Sequence, residues 1–158
     1  MKKAVLYFIF LVSIFAFSIF DAQAQKQIEQ REQRDPVLEA DSLHNLEVAR
    51  QAFKLRKAYK GVLMRCEEII AANPDFSKMD EVLYLSGMSS YYLSEGKGKQ
   101  KINTNFNDEK EKYAPEKLRQ DAIVYFQMLI DKYPQSQYRD EAEKTLKLLG
   151  VETNAQKQ

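Results

Sequence analysis

The chain has one histidine, His44, and one cysteine, Cys66. Two soft ligands are too few for a zinc site. His44 falls on the polar side of an apolar-periodic segment, where a surface histidine is expected rather than a general base. Cys66 falls within an apolar stripe, where a thiol behaves as a small core residue, and a single cysteine makes no internal disulfide. The carboxylates of "DFSKMDE" at 75–81 are spaced vaguely like a calcium loop but lack its central glycine and its closing glutamate. They read better as a helix start, with Ser77 as N-cap and Asp80 and Glu81 in the first turn beside the positive end of the dipole. "EGKGKQ" at 95–100 has two glycines but neither the preceding strand nor the following helix start of a phosphate loop. No catalytic, cofactor-binding or metal-ligating residue is expected, and the expectation is that the chain is not an enzyme.

What remains is surface. Tyr84, Tyr91 and Tyr92 share one segment of helical spacing, and aromatic residues are enriched where proteins meet. Tyr84 and Tyr91 fit packing against neighbouring helices, while Tyr92, one position off their stripe, is the better surface candidate. Lys97, Lys99 and Lys101 follow in a glycine-bearing loop and suit contacts with lipid head groups or an acidic partner, solvation being the default.

Several elements must position these residues. Lys2 and Lys3 precede 17 uncharged residues, 4–20, and Ala22 and Ala24 form a small-residue processing site. We expect a signal peptide over 1–24, cut after Ala24, so that the body is exported; an uncleaved leader anchored in the inner membrane is the alternative. No cysteine stands at the cut, so no lipid anchor is expected there. The 24 Lys+Arg and 23 Asp+Glu become 22 and 22 once Lys2, Lys3 and Asp21 are set aside. A neutral body has no broad field to gather nucleic acid.

Residues 25–35, "QKQIEQREQRD", read as a flexible tether or a fraying helix start. From Pro36, Leu43, Leu46, Ala49 and Phe53 recur at helical spacing, and a second helix runs from Tyr59 to Ala72 with Val62, Cys66, Ile69 and Ile70 as its stripe. A third carries Leu83, Tyr84, Gly87 and Tyr91, and Gly87 suggests the close approach of a neighbouring helix. The pattern lapses over 96–113, read as a mobile insertion loop. Pro115 opens a fourth helix with Leu118, Ala122, Phe126 and Leu129; a fifth, about 137–149, buries Ala142, Leu146 and Leu149 before Gly150. Residues 151–158 form a polar tail. The body, 36–150, is expected to be all-α: about five antiparallel helices with no strand.

Two passages recur sixty residues apart, "EEIIAANPDFSKMDEV" at 67–82 and "QMLIDKYPQSQYRDEA" at 127–142. Recurrent helix pairs suggest an α-solenoid. Tyr59, Val62, Cys66, Ile69 and Pro74, and then Ala122, Phe126, Leu129 and Pro134 with Tyr84, Gly87 and Tyr91 before them, resemble tetratricopeptide repeats (TPR). The insertion stretches the second unit beyond the usual repeat of about 34 residues. In the first unit Arg50 stands where a small residue is usual, and Cys66 replaces an aromatic. Phe126, Leu129, Ile130, Tyr133, Pro134, Ser136 and Tyr138 make an F-x-x-L-I-x-x-Y-P-x-S-x-Y passage that resembles the BamD-like family of outer-membrane assembly factors, shared with coordinators of the Tol–Pal system. The resemblance covers roughly 37–150 and implies a periplasmic scaffold, with peripheral association with the outer membrane. Its partners would be envelope proteins such as the β-barrel assembly complex, bound through Tyr84, Tyr91 and Tyr92. The alternative it implies is a Tol–Pal coordinator-like scaffold in envelope maintenance or cell division. About two and a half repeats fall below the three usually needed, so stabilisation by a partner or by self-association is expected.

Overall fold

The computed structural model describes residues 34–103 and 105–151. The leader with Ala24, nearly all of the tether and the tail beyond Val151 lie outside the described residues. The body consists of six α-helices: α1 Pro36–Gln51, α2 Tyr59–Ala72, α3 Met79–Ser94, α4 Asn107–Lys112, α5 Pro115–Lys132 and α6 Arg139–Leu148. No strand occurs among the described residues. Helices α1, α2, α3, α5 and α6 each pack on the next in that order, with α3 against α5 the most extensive contact. This is the layout of a TPR-like solenoid, with α1 and α2 as one hairpin, α3 and α5 as the next, and α6 as a final half unit.

The boundaries follow from local chemistry. Pro115 starts α5 at its first turn, where its missing N–H costs nothing. Gly96 and Gly150 have positive φ, and each closes a helix with the same pair of bonds. Gly96 N–H donates to Leu93 O and Lys97 N–H to Tyr92 O, while Gly150 N–H donates to Lys147 O and Val151 N–H to Leu146 O. Both are Schellman caps, which need a left-handed residue that only glycine adopts without penalty.

One continuous core joins all five long helices, from Leu46 and Ala49 through Val62, Cys66, Ile69, Val82 and Leu83 to Ala122, Phe126, Leu129, Ala142 and Leu146. A smaller cluster of Tyr59, Leu63, Leu93, Tyr113 and Leu118 sits beside it. Burying one large apolar side chain contributes about 1.5–3 kcal/mol, against 0–1 for an exposed ion pair, so this packing and not the surface charge holds the helices. Helix α6, the last described helix, buries Ala142, Thr145 and Leu146, while Lys144, Lys147 and Leu148 are exposed.

Four expectations are corrected. Leu43 is 39% exposed, and Ser42 takes the inward place on α1. Ser42 accepts a hydrogen bond from Asn73 Nδ2 at 3.1 Å, so a polar pair closes the start of the first hairpin. Ser77 does not cap α3; Lys78 precedes its first residue without a side-chain bond, and Ser77 N–H instead donates to the Glu39 carboxylate at 3.3 Å. The small residue in the first unit is Ala49, fully buried, rather than Arg50. Helix α1 runs on into a π-helical turn, Ala52–Arg56, which inserts an extra residue, and the chain leaves it through Lys57 at φ 50°. The fourth correction is α4, a helix inside the segment read as an unpatterned loop.

That segment runs along α2 and is tied to it repeatedly. Lys99 N–H donates to Lys57 O at 3.0 Å, and Gly61 N–H donates to Gln100 Oε1 at 2.8 Å. The Glu109 carboxylate accepts Lys60 Nζ at 2.5 Å and Asn103 N–H at 2.9 Å, and Lys112 Nζ meets Glu67 at 2.6 Å. Six residues are too few for an isolated helix, so these ties hold α4. Gly98 passes at φ +118°, where a Cβ would stand 3.0 Å from the Tyr59 ring and 3.2 Å from Lys57 O. Gly98→Ala is expected to free the strap, seen as faster amide exchange over 97–103 while the amides of α3 and α5 keep their protection.

Candidate functional site

Helix α3 is the central helix and is buried almost all round, including Val82, Leu83, Leu85, Ser86, Gly87, Met88, Ser89, Ser90 and Leu93. The long side chains that keep partial access on it are Asp80, Glu81, Tyr84, Tyr91 and Tyr92. Positions 81, 84, 91 and 92 fall along one helical face, so the expected tyrosines are brought together on one side of the molecule.

Flanking elements complete that face. From α1 and its π-turn come Arg50 and Phe53; from the passage leading into α6 comes Tyr138. Arg50 Nε and Nη2 donate to the two Glu81 carboxylate oxygens at 2.6 and 2.5 Å, a bidentate pair joining α1 to α3. The pair holds Arg50 protonated far above its ordinary range. Burial alone would push the Glu81 carboxyl up, but its bonds to Arg50 and Tyr138, with the Arg50 charge, outweigh this and lower it.

Tyr84 stacks on Tyr138, with centroids 4.5 Å apart and planes at 15°. Burial first, and then the hydrogen bond to Glu141, pushes the Tyr84 hydroxyl far above the usual phenol range. Tyr92 lies 4.9 Å from Tyr59, 6.0 Å from Phe53 and 5.7 Å from Tyr91. Lys97 Nζ stands over two of these rings, 5.5 Å from the Tyr92 centroid and 5.7 Å from that of Tyr91. Tyr92 is thus half-buried in an aromatic cluster, and Lys97 belongs to the same face. Lys99 and Lys101 are exposed in the strap and do not join it.

The twin passages meet here. Ser136 Oγ donates to Asp80 at 2.7 Å and accepts Tyr138 N–H at 3.2 Å, while Tyr138 stacks on Tyr84. The second passage, with its Tyr-Pro-x-Ser-x-Tyr, therefore docks on the helix start that closes the first. Glu39, gripping Ser77 N–H, does for the first turn what Asp80 does for the second. Asp80 and Glu81 of "DFSKMDE" serve as inter-unit ties.

The other chemically active groups lie elsewhere. His44 is exposed on α1. Cys66 is fully buried, and burial pushes its thiol up to about 12, which removes the thiolate a nucleophile or ligand needs. No group of three or more His, Cys, Asp or Glu side chains that could hold a metal occurs among the described residues. The face offers stacked aromatic rings, a fixed ion pair and one cation over π-systems.

Arg50, Phe53, Glu81 and Tyr138 were not foreseen as parts of the face. Arg50 had one legible signal, its misfit at a small-residue position.

A family model described as an outer membrane lipoprotein, YfiO, matches residues 20–153. No curated protein and no solved structure matches the chain.

Proposed function

The chain belongs to the YfiO family of outer membrane lipoproteins, and from that premise we propose that it is a non-enzymatic repeat scaffold serving outer-membrane β-barrel assembly. In this reading the leader exports it and is cut after Ala24. The tether, 25–35, carries the body, 36–150, at the periplasmic face of the outer membrane. Extended segments of partner proteins lie on the face formed by α1, α3 and the start of α6.

One observation carries the proposal. The only accessible strip of the otherwise buried central helix is lined by Tyr84, Tyr91 and Tyr92, extended by Phe53 and Tyr138. Ring stacking and partial burial already limit these side chains, so a partner orders little on arrival. Aromatic anchors held in this way are typical of binding hot spots. Arg50–Glu81 and Lys97 fix charges beside the rings and favour one register of an incoming segment.

A photo-crosslinking residue placed at Tyr91 in living cells tests this, with Val124, exposed on α5, as the control. The Tyr91 probe is expected to capture β-barrel assembly components and the Val124 probe to capture none. Equal capture at both positions, or none at Tyr91, would overturn the proposal.

A further inference from the structure

The aromatic face does not stop at Tyr92. Beyond it lies Tyr59 on α2, its ring centroid 4.9 Å from that of Tyr92 and 5.4 Å from that of Phe53. Tyr59 is only 7% exposed, and part of its cover is the strap that follows α3. Gly98 passes so close that a Cβ there would meet the Tyr59 ring at 3.0 Å, and Ile102 packs against the cluster that holds Tyr59. The strap has a fixed base, because Lys97 N–H is bound to Tyr92 O in the cap of α3. The first residue past that base is Gly98 at φ +118°, a backbone region that glycine enters freely, so the chain can pivot there.

Polar bonds hold residues 98–103 down. Lys99 N–H donates to Lys57 O, Gly61 N–H to the Gln100 side chain, and Asn103 N–H to the Glu109 carboxylate, which also pairs with Lys60. Ile102 is the one apolar side chain among them, and it is only partly buried. A segment fixed by a few polar bonds and one apolar contact opens locally, at far less cost than unfolding the main core. The Lys60 and Glu109 side chains are 20% and 31% exposed, so salt reaches their pair and screens it. Opening uncovers the Tyr59 ring beside Tyr92 and Phe53, which lengthens the aromatic face while α1, α2 and α3 stay packed. We infer that residues 98–103 are a salt-sensitive latch over Tyr59, and that an extended partner segment reaches the full face only when the latch is open. The partner rests on the scaffold reading above; the latch does not.

Amide exchange of the full chain, read by NMR, measures the opening. The reporter is the Lys99 amide, whose acceptor is backbone and is kept in every variant. Raising NaCl from about 0.05 to about 0.5 M should speed its exchange about threefold as the ion pair is screened, while the amides of α3 and α5 are unaffected. Glu109→Ala should exchange fast at both salt levels. Gln100→Ala should exchange about fivefold faster than the parent, the worth of one hydrogen bond, and keep the salt response. Neither residue belongs to a core cluster, so both variants should melt with the parent. Nitration of Tyr59 by tetranitromethane, read on its peptide by mass spectrometry, should rise with exchange in both. Capture from the Tyr91 photo-crosslinker should rise in the same proportion, because apparent affinity scales with the open fraction. Lys99 exchange insensitive to salt, Tyr59 nitration no greater in either variant, or Tyr91 capture unchanged between parent and variants would overturn the inference. No capture in any background would overturn the scaffold reading, and the latch then stands or falls on exchange and nitration.

Discussion

Gly87→Ala is expected to lower the free energy of unfolding by about 2 kcal/mol. A Cβ at Gly87 would stand 2.6 Å from Phe126 Cε1 and 2.8 Å from Cδ1 and Cζ. The Phe126 ring is 0% exposed and packed in the main core, so it has no free direction in which to swing. Overpacking of this severity costs about 3 kcal/mol, at the upper end of the usual range. Replacing a helical glycine by alanine returns about 1 kcal/mol, and the steric cost wins. Urea unfolding followed by circular dichroism measures the difference. The control is Phe126→Leu, which shortens the opposing side chain. In that background Gly87→Ala should cost nothing or stabilise, because only the propensity gain remains. An equal loss in both backgrounds would mean that the damage does not come from this contact.

This close approach was legible because a glycine inside an apolar-periodic helix is costly unless a neighbour needs the space. The tyrosine face was legible for a similar local reason, since Tyr84 and Tyr91 are seven residues apart and Tyr92 adjoins. Its completion was not legible. Phe53 and Tyr138 come from other elements, and periodicity says nothing about what faces a stripe across a groove. Arg50 looked like a flaw in the repeat because one π-turn shifts the count, and π-turns have no compositional signature comparable to proline or glycine. Ser42 and Leu43 were exchanged because hydrophobicity alone ranks leucine inside, whereas the position needed a hydroxyl for Asn73. Helix α4 escaped notice because "NDEKEK" has no apolar face, and its order derives from Lys60, Glu67 and Asn103 elsewhere in the chain. Apart from the π-turn, the missing information was chiefly a partner elsewhere in the chain.

Glu81→Ala is expected to destabilise the fold by about 2 kcal/mol, between the values for exposed and buried ion pairs. The Glu81 side chain is 13% exposed and Arg50 27%, so water reaches the pair but does not surround it. Without Glu81, Arg50 keeps only Glu47, a 55% exposed neighbour at 3.2 Å. The replacement of both partners, Arg50→Met with Glu81→Leu, should recover most of the loss, because no unpaired charge is left half-buried. Acid provides the second readout. The folded pKa of Glu81 is lowered, so its contribution is complete above the ordinary carboxylate value of about 4.3 and disappears as pH falls through the folded value. Stability of the parent should therefore drop on acidification across that window more steeply than stability of Glu81→Gln. Parallel curves would show that the pair contributes nothing. The same bond fixes α1 against α3 at the edge of the aromatic face. Glu81→Gln should therefore reduce crosslinking from Tyr91 under conditions where the protein is still fully folded, a loss that stability alone does not explain.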